Sequence, residues 1–242
     1  MILRVRCVTA LLAMGLGLLG CDHVPGRPGP WPQVLRPEQE LDFATLYKTN
    51  CAGCHGANRS YGPAIALSNP IYLAIAGEDI LTDVTAKGVP GKLMPAFAKS
   101  AGGILTDQQV AVLVHGMMQT WGKPTPLISE KTPPYKTTLR GDAARGRQQF
   151  IASCASCHGI NGNGTEKSSG EKIGSIVDQS YLALVSDQAI RSFVIAGMPD
   201  QGMPDWRSDS ASPMTDQQVT DIIAWMAALR GANAGQPYPA HP

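Results

Sequence analysis

Two short stretches with the same pattern constrain this chain of 242 residues more than any other feature. Residues 51 to 55 are CAGCH and residues 154 to 158 are CASCH. In each stretch a histidine directly follows the second of two cysteines, and the two stretches together use four of the six cysteines in the chain. The fold therefore has to give one purpose to two thiols and an imidazole, and it has to do so twice.

Three kinds of site use cysteines at this spacing. A structural zinc site needs four ligands, whereas each stretch supplies at most three and no second Cys/His pair lies nearby. A thioredoxin-like dithiol needs no following histidine. In c-type haem attachment every residue has a role, because the two thiols bond to the vinyl groups of one porphyrin and the histidine ligates the iron. This interpretation assigns haem attachment and iron ligation to six residues: Cys51, Cys54, Cys154, Cys157, His55 and His158.

An internal repeat surrounds the two stretches. Three pairs of segments match at an offset of 109: YLAIAG with YLALVS, GVPGKLMPAF with GMPDQGMPDW, and LTDQQV with MTDQQV, which begin at Tyr72 and Tyr181, Gly88 and Gly197, and Leu105 and Met214. The offset of the C-x-x-C-H stretches is 103, so the second copy holds six extra residues after His158. Those residues fall in a Gly/Ser-rich segment, which we expect to be a surface loop.

The last segment of each copy predicts an amphipathic helix. Thr106 and Thr215 are followed three positions later by glutamine, which is the capping-box pattern at a helix N-terminus. Apolar residues then recur at the spacing of one helical face. Gly122 and Gly231 suit the position just after such a helix.

The N-terminus predicts export. Arg4 and Arg6 precede an apolar run, residues 8–19, which is too short to span a membrane comfortably. Residues 1–20 are therefore interpreted as a signal peptide. The run ends in LLGC, which resembles the lipobox of bacterial lipoproteins and predicts a lipid on Cys21. The alternative is an ordinary signal peptide cut elsewhere, with Cys21 left as a free thiol.

Composition divides the remainder. Residues 21–37 form a Pro/Gly-rich tether, 122–140 a Pro-rich linker, and 232–242 a flexible tail. This leaves two domains, 38–121 and 141–231, each of a size at which a side-chain core alone is thin. With 20 Lys+Arg against 19 Asp+Glu, the chain has no basic footprint, and no nucleic-acid partner is expected.

Around the two C-x-x-C-H stretches the sequence resembles the class I c-type cytochromes, in a tandem diheme form, over about residues 38–121 and 141–231. The resemblance implies an all-α fold of two small cytochrome c-like helical domains, each wrapped around one covalently attached haem, and hence two haem c groups. It also implies a methionine from a later loop as the second axial ligand. Met94 in MPAF and Met203 in MPDW fit that position. Met198 falls in the same loop, but Met203 overlies Met94 at the offset of 109 and is likewise followed by proline.

Two details of the resemblance concern the histidines. In the family a proline carbonyl often accepts a hydrogen bond from the ring N–H of the axial histidine, and Pro63 fits this part in the first copy. The second copy has no proline between His158 and Pro199. The other histidines, His23, His115 and His241, are interpreted as surface or core residues, with His115 left open as a rival axial ligand.

Ligation by histidine and methionine leaves no open position on the iron, and methionine raises the reduction potential. The expected function is therefore a membrane-tethered periplasmic diheme cytochrome, not an enzyme, that passes single electrons between redox partners of a respiratory or photosynthetic chain. Its partners would be membrane complexes or soluble cytochromes, and Asp22 after Cys21 favours the inner membrane. The alternatives are a fixed haem subunit of a dehydrogenase, quinol-oxidising or oxidase complex and, less favoured, a diheme peroxidase.

Charge near the methionine loops gives one hypothesis about docking. Lys87, Lys92 and Lys99 flank Met94 without an acid among residues 87–99, whereas Asp200, Asp205 and Asp209 surround Met203. The first copy would then meet an acidic partner and the second a basic one. Solvated loops without a role are the alternative.

Overall fold

Helices make up nearly all of the regular structure. The computed structural model describes residues 34–57, 62–123, 131–168, 170–207 and 213–231. Its helices are α1 (Phe43–Asn50), α2 (Ala52–His55), α3 (Pro70–Lys87), α4 (Asp107–Trp121), α5 (Ala143–Ser153), α6 (Ala155–His158), α7 (Gln179–Leu184), α8 (Asp187–Ala196) and α9 (Asp216–Ala228). A two-residue antiparallel hairpin, β1 (Thr165–Glu166) with β2 (Lys172–Ile173), lies in the extra loop of the second copy. The predicted all-α class is confirmed.

Both predicted capping boxes are present. The Thr106 hydroxyl accepts from the Gln109 backbone N–H at 3.2 Å, and the Gln109 side chain accepts from the Thr106 N–H at 3.0 Å. Thr215 and Gln218 repeat this at 3.2 and 2.9 Å. These side chains satisfy N–H groups that an α-helix leaves unpaired at its start.

The predicted helix ends are less accurate. Gly122 does follow α4, but with an extended backbone. Gly231 does not follow α9, which ends at Ala228 in a tighter turn closed by the bond from the Leu229 N–H to the Met226 carbonyl. Instead, the Gly231 N–H donates to the side chain of Gln179 at 2.8 Å, so a contact with the start of α7 determines its position.

The sequence repeat is also a structural repeat. In each copy a helix (α1 or α5) leads into the short helix that carries the C-x-x-C-H stretch (α2 or α6), and the capped helix (α4 or α9) comes last. Between them the first copy has α3, whose backbone breaks at Gly77 with φ of 70°. The residue 109 positions later, Ser186, is the N-cap of α8, so the second copy makes the same break as two separate helices.

The first and last helices of each copy contact each other at a glycine, which lies on the last helix in the first copy and on the first helix in the second. A Cβ on Gly116 of α4 would lie 2.2 Å from the ring of Phe43 on α1. In the second copy the position of Phe43 is taken by Gly146 on α5, where a Cβ would lie 1.8 Å from the Asp221 carbonyl oxygen on α9. Trp225 takes the position of Gly116. In the first copy the ring of Phe43 thus packs against α4, whereas Gly146 brings α5 and α9 into backbone contact, so the second pair of helices packs more closely.

Each copy buries its own cluster of apolar side chains, and the clusters meet. Ile75 and Phe193 pack against both. Polar bonds reinforce the junction, since Asn69 at the start of α3 donates to the Ala196 and Gly197 carbonyls, both at 3.1 Å. The described residues from Pro37 onward form one compact unit. The division into haem domains at 38–121 and 141–231 stays a prediction.

The described part of the linker packs between the copies. Tyr135 belongs to the first cluster, and the buried Arg191 on α8 donates to its carbonyl at 3.2 Å and to the Pro134 carbonyl at 2.8 Å. The same guanidinium pairs with Asp216 at the start of α9. In the part of the chain described, no helix is both long and apolar enough to cross a membrane.

Candidate functional site

Each C-x-x-C-H stretch forms one helical turn directly after a longer helix. In the first copy the N–H groups of Cys54 and His55 donate to the Cys51 carbonyl at 3.2 and 3.0 Å, and in the second copy the equivalent distances are 3.2 and 2.9 Å. This turn gathers two thiols and an imidazole within one short segment. All four cysteines are free thiols, and the second of each pair, Cys54 or Cys157, is exposed.

The first thiol of each pair lacks the property that dithiol chemistry requires. Burial, and then the neighbouring Cys54, raise the pKa of Cys51 to about 11, and burial with Cys157 raises the pKa of Cys154 to about 11. Exchange enzymes need a thiolate, which a lowered pKa supplies. Among the described residues, no three His, Cys, Asp or Glu side chains gather into a group that could hold a metal ion.

His55 is held in one tautomer. Its Nδ1 lies 2.7 Å from the Ile65 carbonyl oxygen. A carbonyl can only accept, so Nδ1 carries the proton and Nε2 keeps its lone pair. Burial lowers the pKa of His55, although the bond to Ile65 acts in the opposite direction, so the ring is neutral at neutral pH. A neutral imidazole with a free Nε2 is the form that binds a metal.

The acceptor for His55 was predicted in the wrong place. Pro63 was expected, and the structure has Ile65 instead. The loop passes so close to α2 that a Cβ on Gly62 would lie 2.0 Å from the Cys54 carbonyl oxygen, and that same oxygen accepts from the Ala64 N–H at 3.0 Å. This path brings the carbonyl of Ile65 to the imidazole.

His158 has no such acceptor in the part of the chain that the structure describes. Its Nδ1 is buried and has no hydrogen-bond partner among the described residues, and burial lowers the pKa of the ring. The loop that follows directs its polar groups elsewhere: the Gly164 N–H donates to the His158 carbonyl at 2.9 Å, and the Thr165 hydroxyl donates to the Cys157 carbonyl at 2.5 Å. The six-residue insertion and its hairpin thus replace the loop that supplies Ile65 in the first copy.

Met94 and Met203 occupy equivalent, half-buried positions. The Val89 N–H donates to the Met94 carbonyl at 3.0 Å, and the Met198 N–H donates to the Met203 carbonyl at 2.9 Å. These bonds close the same turn in both copies and equate Met203 with Met94 and Met198 with Val89. The offset of 109 residues found in the sequence therefore also relates the two methionine loops in the structure.

A glycine that the sequence analysis gave no role fixes each loop. Gly88 and Gly197 follow α3 and α8 with φ of 68° and 67°, a left-handed conformation that favours glycine. A Cβ on Gly88 would lie 2.5 Å from the backbone of Pro95, and one on Gly197 would lie 2.7 Å from that of Pro204. Both glycines begin repeated segments, so the repeat itself carried the signal that could have identified them.

Trp206 ends the MPDW segment, and the sequence indicated no role for it. Its side chain is 3% exposed, and its Nε1 has no hydrogen-bond partner among the described residues. The equivalent residue in the first copy, Phe97, has no donor. A buried indole N–H normally has an acceptor, and the described residues supply none for this nitrogen.

Other predicted residues lie away from these clusters or outside the described ranges. His115 is on the surface, with its side chain 65% exposed and its Nδ1 4.0 Å from the Glu78 carboxylate, which favours the surface role. His23, His241 and Cys21 fall outside the described residues, as do the signal peptide and the tail.

The lysines proposed for docking have intramolecular partners. Lys87 pairs with Asp83, Lys99 lies 3.4 Å from the Glu38 carboxylate, and Lys92 donates to the Ala183 carbonyl of the second copy at 3.0 Å. Of the three acids proposed for the other face, Asp209 lies outside the described residues and Asp205 pairs with Arg207. Lys92 therefore bridges the two copies, and the docking of an acidic partner at the first copy stays a prediction.

The residues present fit haem c. Free thiols at the right spacing can form the thioether bonds, a neutral imidazole and a thioether sulfur are the axial donors that suit haem iron, and a porphyrin carboxylate is an acceptor for the indole N–H of Trp206.

Comparison with known proteins agrees with this donor set. The model of the family described as cytochrome c oxidase, cbb3-type, subunit III matches residues 38–115 and 141–226. The cytochrome bc1 complex cytochrome c subunit of Mycobacterium bovis is 27% identical over 203 residues, which is 81% of this chain and 68% of that protein. The cbb3-type cytochrome c oxidase subunit FixPc of Rhizobium leguminosarum is 28% identical over 78% of this chain and 60% of that protein.

A chain of the Kuenenia stuttgartiensis reducing HAO-like protein complex has a TM-score of 0.45 and 16% identity over 83% of this chain and 99% of that chain.

The family match covers both copies of the repeat and includes both C-x-x-C-H stretches. The chain therefore belongs to the family of cbb3-type cytochrome c oxidase subunit III, and it is an electron-transfer cytochrome with covalently bound haem c.

Proposed function

We propose that this chain carries two haem c groups, one per copy, and relays single electrons within a respiratory chain on the periplasmic side of a bacterial membrane. The observation that supports this most is the repeated geometry. Both copies have the same C-x-x-C-H turn, and both have the same backbone bond closing the methionine loop. The names of the relatives, subunits of a cytochrome bc1 complex and of a cbb3-type oxidase, support respiratory partners.

The roles of the residues follow from their chemistry. Cys51 and Cys54 in one copy, and Cys154 and Cys157 in the other, would form the thioether bonds. His55 and His158 would ligate through Nε2, with Met94 and Met203 on the far side. Haem c supplies an iron that takes up and gives back one electron. Histidine and methionine donors on both sides of the iron would exclude oxygen and peroxide, which argues against the peroxidase alternative.

The methionine assignment can be tested by opening one axial position at a time. Met94→Ala and Met203→Ala should each allow the ferrous protein to bind carbon monoxide at half of its haem, while the unaltered protein binds none. Met198→Ala is the matched control, because Met198 lies in the same loop at the position of Val89. Carbon monoxide binding by Met198→Ala and not by Met203→Ala would contradict the assignment.

Membrane attachment depends on Cys21. We propose that a lipid on this residue holds the protein at the inner membrane, since the apolar run before it is too short to span. Cys21→Ser should move the haem-containing protein from the membrane fraction to the soluble periplasmic fraction. Retention in the membrane after this change would contradict lipid anchoring.

A fixed subunit is the second candidate, and the relatives favour it because both are named as subunits of membrane complexes. The two candidates differ in how firmly the protein is held. A fixed subunit should remain with an oxidase or a quinol-oxidising complex after mild detergent extraction of native membranes. A tethered carrier should separate as a single chain.

A further inference from the structure

The two copies differ at one hydrogen bond that bears directly on the proposed iron ligands. His55 donates from Nδ1 to the Ile65 carbonyl at 2.7 Å. The Nδ1 of His158 is buried without an acceptor among the described residues. The backbone hydrogen bonds within the two turns are nearly the same. The difference is therefore specific to the outer nitrogen of the axial histidine.

That nitrogen affects the electronic character of the ligand. A histidine that donates its outer N–H to a carbonyl becomes a more basic ligand. A more basic ligand stabilises ferric iron relative to ferrous iron, so it lowers the reduction potential, and hydrogen bonding around the ligands is one of the means by which proteins adjust haem potentials. His55 has this bond, and His158 lacks it as far as the described residues show. The bond would thus lower the reduction potential of the first haem only.

Trp206 acts in the same direction in the second copy. Its buried N–H finds no acceptor among the described residues, and a porphyrin carboxylate is the acceptor that haem c would bring. A donor that partly neutralises this carboxylate stabilises the added electron of the reduced state and raises the potential. Phe97 cannot do this in the first copy.

We propose that the second haem, attached in residues 154–158, has the higher reduction potential, so that electrons enter at the first copy and leave from the second. This inference rests on the proposed function, because it requires a haem in each copy. The junction between the copies suits such a relay. Asn69 and Lys92 of the first copy hydrogen-bond to carbonyls of the second, so electron transfer between the copies does not wait for a docking step.

The test is a potentiometric titration of the full chain with assignment of each step. The unaltered protein should titrate in two separate steps. Met94→His and Met203→His form a matched pair, since each replaces the ligand that raises the potential at one haem. Met203→His should shift the higher step downward and leave the other in place, and Met94→His should shift the lower step. The inference is overturned if Met94→His shifts the higher step, or if the unaltered protein titrates as two equal centres.

Trp206→Phe tests the positioning residue and installs the side chain that the first copy has. It should lower only the potential of the step assigned to the second haem, with both haems still attached and no carbon monoxide bound. A shift of the other step, or no shift, would contradict the role of Trp206. Two attached haems in the reversed order would defeat this inference alone, whereas one haem per chain would defeat the proposed function as well.

Discussion

Replacing Gly146 by alanine tests how closely α5 and α9 must pack. An added Cβ would lie 1.8 Å from the Asp221 carbonyl oxygen, whereas ordinary contacts begin near 3.4 Å. The helices would have to separate by about 1.5 Å in an interior that has little free space. Overpacking costs about 1–3 kcal/mol, and we take the upper end because the obstacle is backbone. Alanine returns about 1 kcal/mol through its helix propensity, so the net loss is about 2 kcal/mol.

The assay is urea denaturation of the haem-loaded protein followed by far-ultraviolet circular dichroism. Urea unfolding should give the loss of about 2 kcal/mol directly, and a separate thermal melt should show it as a melting temperature lower by about 4–8 °C for a chain of this size. Gly53→Ala is the matched control, because a Cβ there meets nothing within 4 Å and the second copy has Ser156 at this position. It should leave stability unchanged or raise it by up to about 1 kcal/mol, because alanine is the better helix former. Equal stability of Gly146→Ala and Gly53→Ala would refute the close-packing argument.

Two further predictions use the same assay. Arg191→Ala removes the guanidinium that binds two linker carbonyls and the Asp216 carboxylate, and it should lower the free energy of unfolding by about 3 kcal/mol. The control Lys167→Ala breaks only an exposed pair with Glu171 and should lower it by less than about 1 kcal/mol. Equal losses in the two variants would contradict the role of the buried pair. Burial raises the pKa of Asp221, but hydrogen bonds from the guanidinium of Arg145 on α5 and from neighbouring groups outweigh this effect and hold the pKa below 3.8. The stability that this carboxylate contributes should therefore be complete above pH 3.8 and should be lost as the pH falls through its lower folded pKa. Asp221→Asn should consequently lose less stability in acid than the unaltered protein. An unchanged dependence of stability on pH in acid would contradict this.

Features that depend on nearby residues could be predicted from the sequence. The capping boxes at Thr106 and Thr215 formed as expected because threonine and glutamine three positions apart satisfy each other locally. The equivalence of Met94 and Met203 followed from the repeat, and the backbone bonds place the two residues alike. Repetition was informative because two copies of one fold need the same turns at the same offsets.

Features that depend on the path of a loop could not be predicted. The acceptor for His55 is Ile65 and not Pro63, because the approach of Gly62 to α2 decides which carbonyl reaches the imidazole. The contact of Lys92 with the second copy could not be predicted for the same reason. Lys92 lies near Met94 in sequence, yet its amine bonds to Ala183 of the other copy, a contact that no local pattern indicates.

Counting the haems and probing them with carbon monoxide tests the central claim most directly. The full chain, purified from a host that attaches haem c, should contain two covalently bound haems. Its reduced spectrum should not change when carbon monoxide is added, because the proposed histidine and methionine ligands would fill both axial positions in each copy. One haem per chain, or a spectrum in which half of the haem binds carbon monoxide, would contradict the account of two equivalent, closed electron-transfer sites.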